Sequence, residues 1–321
     1  MNDPHKNAFW YSLPGESEFY HMALHSSDEG GNYLVVIQPF DNRRKAMMLC
    51  GNEKRRIEPS QIKPRVFKPL NESEPVSKKA YLEKVRMAID ACKKSLGKVV
   101  LSRWRDVTIA GKDIGSAMKT LRAKYPGAFI YCLQTTEFGT WIGASPEALV
   151  RSKNQRFSTV ALAGTVPTNT AFGTKERIEH KVVIDSIADR LASFDIEIGP
   201  VEEKSYGDLK HLNCDITWSS AKDALYFARL LHPTPAVCGF PTDKAMNFIR
   251  SHEGYDRSLY TGYIGILETG QSDIFVNLRC AQVGDGLLRV FAGGGINELS
   301  SPSLEWDETE RKMEAIIASI K

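Results

Sequence analysis

No stretch of this 321-residue chain approaches the roughly 18 consecutive apolar residues that a membrane-crossing helix needs; its apolar runs are short, as in Tyr33 to Ile37. The first residues lack a basic flank followed by an apolar run, so no signal peptide is expected and the cytoplasm is the expected location. Neither sign of charge dominates. With 42 Lys and Arg against 39 Asp and Glu, the formal net charge of +3 points to neither nucleic acid nor an anionic membrane. The six cysteines, Cys50, Cys92, Cys132, Cys214, Cys238 and Cys280, form no CxxC pair and stand at no zinc spacing with His. That disfavours a disulfide framework and a structural zinc, and leaves reduced, mostly buried thiols as the expectation. Internal repeats and low-complexity tracts are absent as well.

What is present is a globular composition, 42% hydrophobic and 25% charged, which separates the chain from disordered and fibrous sequences. Residues 1 to about 70 alternate short apolar runs with polar turns (NYLVVIQPF, KAMMLCG, KPRVFKP), a pattern of strands and hairpins without a catalytic signature. The polar segment Pro69 to Ser77 leads into a helix on which Tyr81, Val85, Ala88, Ile89 and Cys92 recur at helical spacing, with Gly97 as its expected stop. A strand KVVLSRW follows, then a helix from Ile114 to Tyr125, a strand pair (AFIYCLQ and TWIGAS) and a segment ending in VALAGTVP. A third helix is expected from about Lys175 to Phe194, with Ile178, Val182, Ile187 and Leu191 on its apolar side.

After Pro200 the pattern predicts shorter elements, the turn HPTPAVCGFP, a helix near Thr242 to Ser251, and three strand-like runs, LYTGYIGIL, DIFVNLRCA and GLLRVFAGGG. A last helix is expected after Ser301 or Ser303, with Pro302 where its missing N–H costs nothing. Helices and strands intersperse without strict βαβ alternation. The expectation is an α+β fold, a single domain with large antiparallel sheets packed between helices. Residues 1–76 would be its strand-rich part and residues 77–321 its catalytic core.

Two carboxylate pairs, Glu176 with Glu179 and Glu305 with Glu308, are spaced i, i+3 on predicted helices, so each pair shares a face. Brought together, the two faces would suit a hard cation that keeps several waters, as Mg²⁺ does; taken alone, such pairs are ordinary surface residues. Lys312 follows Glu308 at i+4, as a surface salt bridge or an anion ligand. Arg279, alternating with Phe275 and Asn277, would point with them from an otherwise apolar strand and needs a partner, either a substrate carboxylate or a structural one. Lys98 opens a strand and Glu147 follows another. A buried lysine can serve as a base and a desolvated carboxyl as an acid, although spacing does not show that the two face each other. Gly293 to Gly295 could present backbone to an anion or form a tight turn, and neither GxxxxGK[ST] nor GxGxxG surrounds them.

Six separated segments, KVVLSR, GASPEALV, LAGT, ERIEHKVV, HPTPAVCGFP and the block from LRCA through AGGGI to EWDETERK, together resemble the chorismate-utilising enzymes. That family includes isochorismate and salicylate synthases and the synthase components of anthranilate and aminodeoxychorismate formation. The resemblance runs from about Tyr81 to Lys312. It implies the chorismate-binding enzyme fold, chorismate as substrate and Mg²⁺ as cofactor, held mainly by Glu179 and Glu308 with Glu176 and Glu305 acting through waters. It further implies that Arg279 and Tyr260 bind the enolpyruvyl carboxylate, that Lys312 binds a carboxylate, and that Gly293 and Gly295 make backbone contacts. Gly164 and Thr165 would form the loop over ring and metal. Where relatives often carry AGAGI, this chain has Gly294 in the middle.

Within that family, water-adding members resemble this chain in carrying lysine at the start of the strand, where ammonia users carry glutamine. Lys98 therefore implies water as nucleophile, with Lys98 as base toward a water attacking C2 of chorismate and Glu147 as acid toward the departing C4 hydroxyl. His232, in HPTPAVCGFP, is expected near the bound ring, or else holding a turn through a backbone hydrogen bond. His211 fits a family position and is expected to be structural. The leading expectation is an isochorismate synthase of a menaquinone, siderophore or salicylate pathway, needing no glutaminase subunit, as a monomer or homo-oligomer. A salicylate synthase that also eliminates pyruvate, and a chorismate-binding protein without turnover, are the alternatives.

Overall fold

Alternation along single strands shows how the layers form. In the computed structural model, which describes residues 6–66, 70, 74–109, 111 and 113–320, strand β7 (Phe129–Thr135) sends Phe129, Tyr131 and Leu133 to one core and Ile130 and Cys132 to another. Strand β1 (Asn7–Ser12) divides Phe9 and Tyr11 from Ala8 and Trp10 in the same way. Period-two alternation with both faces apolar means that both faces are covered.

The strands are β2 (Phe19–Ser26), β3 (Tyr33–Gln38), β4 (Met47–Gly51), β5 (Arg55–Ile57), β6 (Lys98–Thr108), β8 (Gly139–Ser145), β9 (Ala148–Lys153) and β10 (Arg156–Pro167) besides those two. Then come β11 (Ile196–Tyr206), β12 (Leu209–Ser219), β13 (Gly239–Phe240), β14 (Tyr263–Glu268), β15 (Gln271–Val276), β16 (Cys280–Val283) and β17 (Leu287–Ile296). All pair antiparallel. One sheet runs β5-β2-β1-β7-β8-β16-β17-β6-β13. The other runs β11-β12-β10-β9-β15-β14-β3-β4-β2. Strand β2 joins both, its start paired with β5 and its end with β4.

An aromatic-rich core from strands of both sheets, including Phe9, Tyr131, Trp141, Val35 and Phe275, fills the space between them. Helices α2 (Ile114–Lys124) and α6 (Pro302–Ile317) cover the outer face of the first sheet. Helices α3 (Thr174–Arg190) and α4 (Ala224–Leu231) cover the second. Helices α1 (Lys78–Lys94) and α5 (Thr242–His252) pack around the start of β6. Among the described residues no helix is long and apolar enough to cross a membrane, and the six thiols are free, five of them buried.

Several expectations are corrected. Helix α1 ends at Lys94 with Ser95 as its cap; Gly97 instead donates its N–H to the Phe240 carbonyl at 2.8 Å. Residues 63–66 of KPRVFKP form no strand, and the rest of that run, with Pro69 and 71–73 of the polar segment, lies outside the described residues. Beyond Pro200 the elements are long: β11 and β12 are a hairpin of two 11-residue strands, and Pro200 sits at a shift in their register. Helix α4 was not anticipated. Helix α3 is turned so that Glu179, His180, Val183, Ser186 and Ile187 are buried while Ile178 is 45% exposed. The expected face is only partly right, Ile187 and Leu191 being buried, because the buried stripe also carries three polar residues, Glu179, His180 and Ser186.

Candidate active site

Polar residues enter a protein interior only where something else requires them. Here a cavity opens between β6, β10, β12 and β17, walled on one side by Leu162, Ala236, Val237, Leu278 and Phe291. Glu147, Glu179, His211, Tyr260, Arg279 and Lys312 also face it, with Gly164, Thr165, Gly293 and Gly295 contributing backbone. About 80 Å³ of it is free, space for a few waters, so anything much larger than a few waters enters only as side chains part.

Departures from regular structure place most of these groups. Arg279 lies in the break between β15 and β16 rather than within a strand, at φ +45°. Asn277 secures that break, donating through Nδ2 to the Leu259 carbonyl at 2.9 Å and accepting from the Tyr131 hydroxyl at 2.6 Å. The alternation expected for Arg279 therefore does not hold, and a strained backbone aims the guanidinium instead. Glu147 stands in the turn between β8 and β9, where its carbonyl accepts from Val276 N–H at 3.0 Å. Gly164, at φ +67° in a bulge of β10, lets that strand approach α3: a Cβ there would come within 3.0 Å of Glu176 Cβ.

Helix α3 is pinned to β10 by His180, whose Nε2 donates to the Ala161 carbonyl at 2.9 Å, and this points Glu179 inward. Lys98 Nζ lies 2.8 Å from Glu179 Oε1, an ionic contact whose angle falls outside hydrogen-bond geometry. On α6, Glu305, Glu308 and Lys312 share the face toward the glycines of β17. Lys312 Nζ donates to Glu308 at 2.7 Å and to the Gly293 carbonyl at 2.9 Å. Lys175 Nζ donates to Glu305 Oε1 at 2.6 Å. Lys98, Glu305 and Glu308 thus stand immediately behind the cavity wall. Glu176 does not join them; its carboxylate accepts from Gly173 N–H at 2.9 Å and caps its own helix.

Charge states follow from burial and neighbours. Burial pushes the Glu147 carboxyl up to about 8, against the opposing pull of Lys98 and Lys312, so near neutral pH it keeps its proton. Burial also acts to raise Glu179, but Lys98, Lys175 and Lys312 outweigh it and hold that carboxyl below its usual range. Glu305 is pushed up to about 7 by burial and by the charge of Glu308. Lys175 is held well above its usual range: burial lowers it, and Glu305, Glu308 and Glu179 more than compensate.

Of the two places expected for His232 the structure shows the second, and it brings His211, expected to be structural, to the cavity. His232 is not among the cavity-lining residues; its Nε2 donates to the Phe40 carbonyl at 3.1 Å and its ring meets Tyr263 edge-on, so it holds the turn. His211 does face the cavity. Burial, then Arg279 and Lys312, drive it well below its usual range, so it is neutral. Its Nε2 accepts from Arg279 at 2.8 Å, which leaves Nδ1–H to donate to Thr165 Oγ1 at 3.1 Å. Arg279 pairs with no carboxylate among the described residues; its partners are His211, the Tyr206 carbonyl at 3.4 Å and the faces of Tyr125 and Tyr206. A buried guanidinium so held is set to receive an anion.

The carboxylates suit a hard cation. Glu305 Oε2 is buried without a hydrogen-bond partner. A Cβ on Gly294 would meet Glu305 Oε2 at 2.9 Å and Glu308 Oε1 at 3.7 Å, and one on Gly295 would meet Glu179 Oε1 at 2.1 Å. The three acidic groups therefore converge on the glycines, as all-oxygen donors of the kind Mg²⁺ takes with retained waters. Among the described residues no three such side chains stand close enough together to hold a metal ion in this arrangement, where each of these three carboxylates holds a lysine.

A buried protonated acid, two cations facing a partly apolar cavity and carboxylates crowded behind it stand on an antiparallel α+β frame. The family profile described as chorismate binding enzyme matches residues 2–321, and the chain belongs to that family. Isochorismate synthase EntC of Escherichia coli (strain K12) is 33% identical over 239 residues, 68% of this chain and 61% of that protein. Isochorismate synthase 2, chloroplastic, of Arabidopsis thaliana is 31% identical over 267 residues, 76% of this chain and 48% of that protein. The matched region thus spans between about half and three fifths of these curated relatives. Among solved structures, a Bacillus anthracis chain assigned as the 2,3-dihydroxybenzoate-specific isochorismate synthase DhbC superposes with a TM-score of 0.83 at 26% identity, covering 98% of this chain and 96% of that one.

Proposed function

We propose that this protein is an isochorismate synthase that uses Mg²⁺, adding water at C2 of chorismate with loss of the C4 hydroxyl. The observation that carries the reading is a buried Glu147 carboxyl raised to about 8 that faces the cavity, with the buried Lys98 amine directly behind the wall. In this reading Lys98 first releases to solvent the proton it holds against Glu179, then as a neutral amine takes a proton from the attacking water, and the protonated Glu147 carboxyl gives one to the C4 oxygen as its bond to carbon breaks. The ring double bonds shift between the two events, so proton and oxygen inventories balance. Arg279, held by neutral His211, receives the enolpyruvyl carboxylate beside Tyr260, and Lys312 with the glycine backbone orients the ring. What Mg²⁺ at Glu179 and Glu308 would supply is charge against the ring carboxylate and a share of the Glu179 charge that now holds Lys98. With Glu176 occupied as a helix cap, Glu305 is the better supporting carboxylate.

Named isochorismate synthases among the relatives support this choice over other members of the family. Lysine rather than glutamine at position 98 supports water over ammonia, so no glutaminase subunit is expected. The purified chain is to be incubated with chorismate, with and without Mg²⁺, and the products separated by chromatography. Isochorismate that requires Mg²⁺ and appears without pyruvate is the expected result. Salicylate with equimolar pyruvate would make it a salicylate synthase, and unconsumed chorismate would overturn the enzymatic reading.

A further inference from the structure

We propose that Lys175 is a built-in counter-cation of the acidic pocket, which a divalent metal has to displace, so that this lysine sets how weakly the free protein holds its metal. The inference rests on the metal site proposed above.

Each of the three carboxylates that converge on Gly294 and Gly295 holds one ammonium: Lys98 on Glu179 at 2.8 Å, Lys312 on Glu308 at 2.7 Å and Lys175 on Glu305 at 2.6 Å. The first two have other attachments. Lys98 is 1% exposed with its stem against Gly295, and Lys312 also donates to the Gly293 carbonyl. Lys175 has Glu305 as its one hydrogen-bond partner among the described residues, and its side chain is 19% exposed, so it has somewhere to go; the pull of the three carboxylates on it is what a doubly charged ion has to exceed. Its place in the sequence argues the same way. It lies in the first turn of α3, the positive end of the helix dipole, where a cation is disfavoured unless a carboxylate calls for it.

Glu305 supplies the independent sign. One of its oxygens is taken by Lys175, and the other is buried and unpartnered in a residue 1% exposed. A half-satisfied buried carboxylate is an unfinished site. A dication and an ammonium cannot both sit within about 3 Å of this carboxylate in a low-dielectric pocket without strong repulsion, so arrival of one drives out the other.

The test is calorimetric titration of Mg²⁺ into the wild-type chain, Lys175→Gln and Lys175→Arg, alongside reductive methylation of wild-type lysines with and without Mg²⁺, read by peptide mass spectrometry. Lys175→Gln is expected to bind Mg²⁺ about tenfold or more tightly than wild type, Lys175→Arg no tighter, and Lys175 of the wild type is expected to methylate faster once Mg²⁺ is present. Equal or weaker binding by Lys175→Gln overturns the proposal. If that variant does not melt cooperatively, the wild-type labelling decides alone, and Lys175 reactivity that is unchanged or reduced by Mg²⁺ overturns it. A wild-type chain that binds no Mg²⁺ at all is a different result: it removes the metal site of the proposed function and this inference with it.

Discussion

At the scale of single residues, the acid and the base make separable predictions. Lys98→Ala is expected to reduce turnover by a factor of about 100 or more while calorimetry still shows chorismate binding; turnover near the wild-type rate would remove the base assignment. The same change leaves Glu179 buried without its partner, so a loss of about 3 kcal/mol in unfolding free energy should accompany it. For Glu147 the sign runs through proton uptake. Its folded carboxyl titrates near 8 against about 4.5 for the ordinary group, so the folded state binds the proton more tightly. Stability from this group is complete below about pH 4.5, declines as pH rises and levels off above about 8. Glu147→Gln should flatten that part of a urea-unfolding series between pH 5 and 9, and an unchanged slope would contradict the raised value. Lys98 and Glu147 were legible from the motifs around them. His211 and His232 were not told apart, because both are lone histidines in apolar contexts and only tertiary placement decides which meets Arg279.

Elements carry a second kind of prediction, since β17 and the helices beside it define the acidic pocket by close approach. Gly295→Ala would put a methyl 2.1 Å from Glu179 Oε1 and 2.8 Å from Lys98 Cε, displacing both groups at once. Gly294→Ala crowds the far end of Glu305, at 2.9 Å, which a small rotation relieves, and meets Glu308 Oε1 at an ordinary 3.7 Å. Assays of the two variants should therefore find activity lost in the first and largely kept in the second, with both melting cooperatively; the opposite order would mean that the carboxylates do not converge as described. Most helices and strands were readable from periodicity, since their faces are cleanly apolar. Two departures resisted it for physical reasons. Helix α3 buries Glu179 and His180 in its first turns, so of the expected apolar side Ile187 and Leu191 are buried while Ile178 is exposed. The run DIFVNLRCA reads as one strand because its composition does not reveal the left-handed residue that breaks it.

Across the whole molecule, connectivity matters more than any single contact. Strand β1 pairs with β7 and β3 with β14, so residues 7–57 supply strands to both sheets that carry the site. A chain of residues 77–321 would leave the edges of β7 and β14 bare over an aromatic core. It is expected to be insoluble, whereas the full chain should unfold in one transition by fluorescence and circular dichroism; a soluble, folded 77–321 would show that the two parts are separable. The antiparallel α+β class was visible in the sequence, but pairing between distant strands was not, because alternation reports a strand's faces and not its neighbours. Strand β11 is the longest edge among the described residues, joined only to β12 and carrying Ile198 and Val201 in the open. Pro200 between them removes a donor, the register shift twists the edge, and Glu197, Glu202, Glu203 and Lys204 surround them with charge. The molecule thereby refuses its own neighbours: a ribbon that could template fibrils at high protein concentration is made a poor partner for another copy of itself.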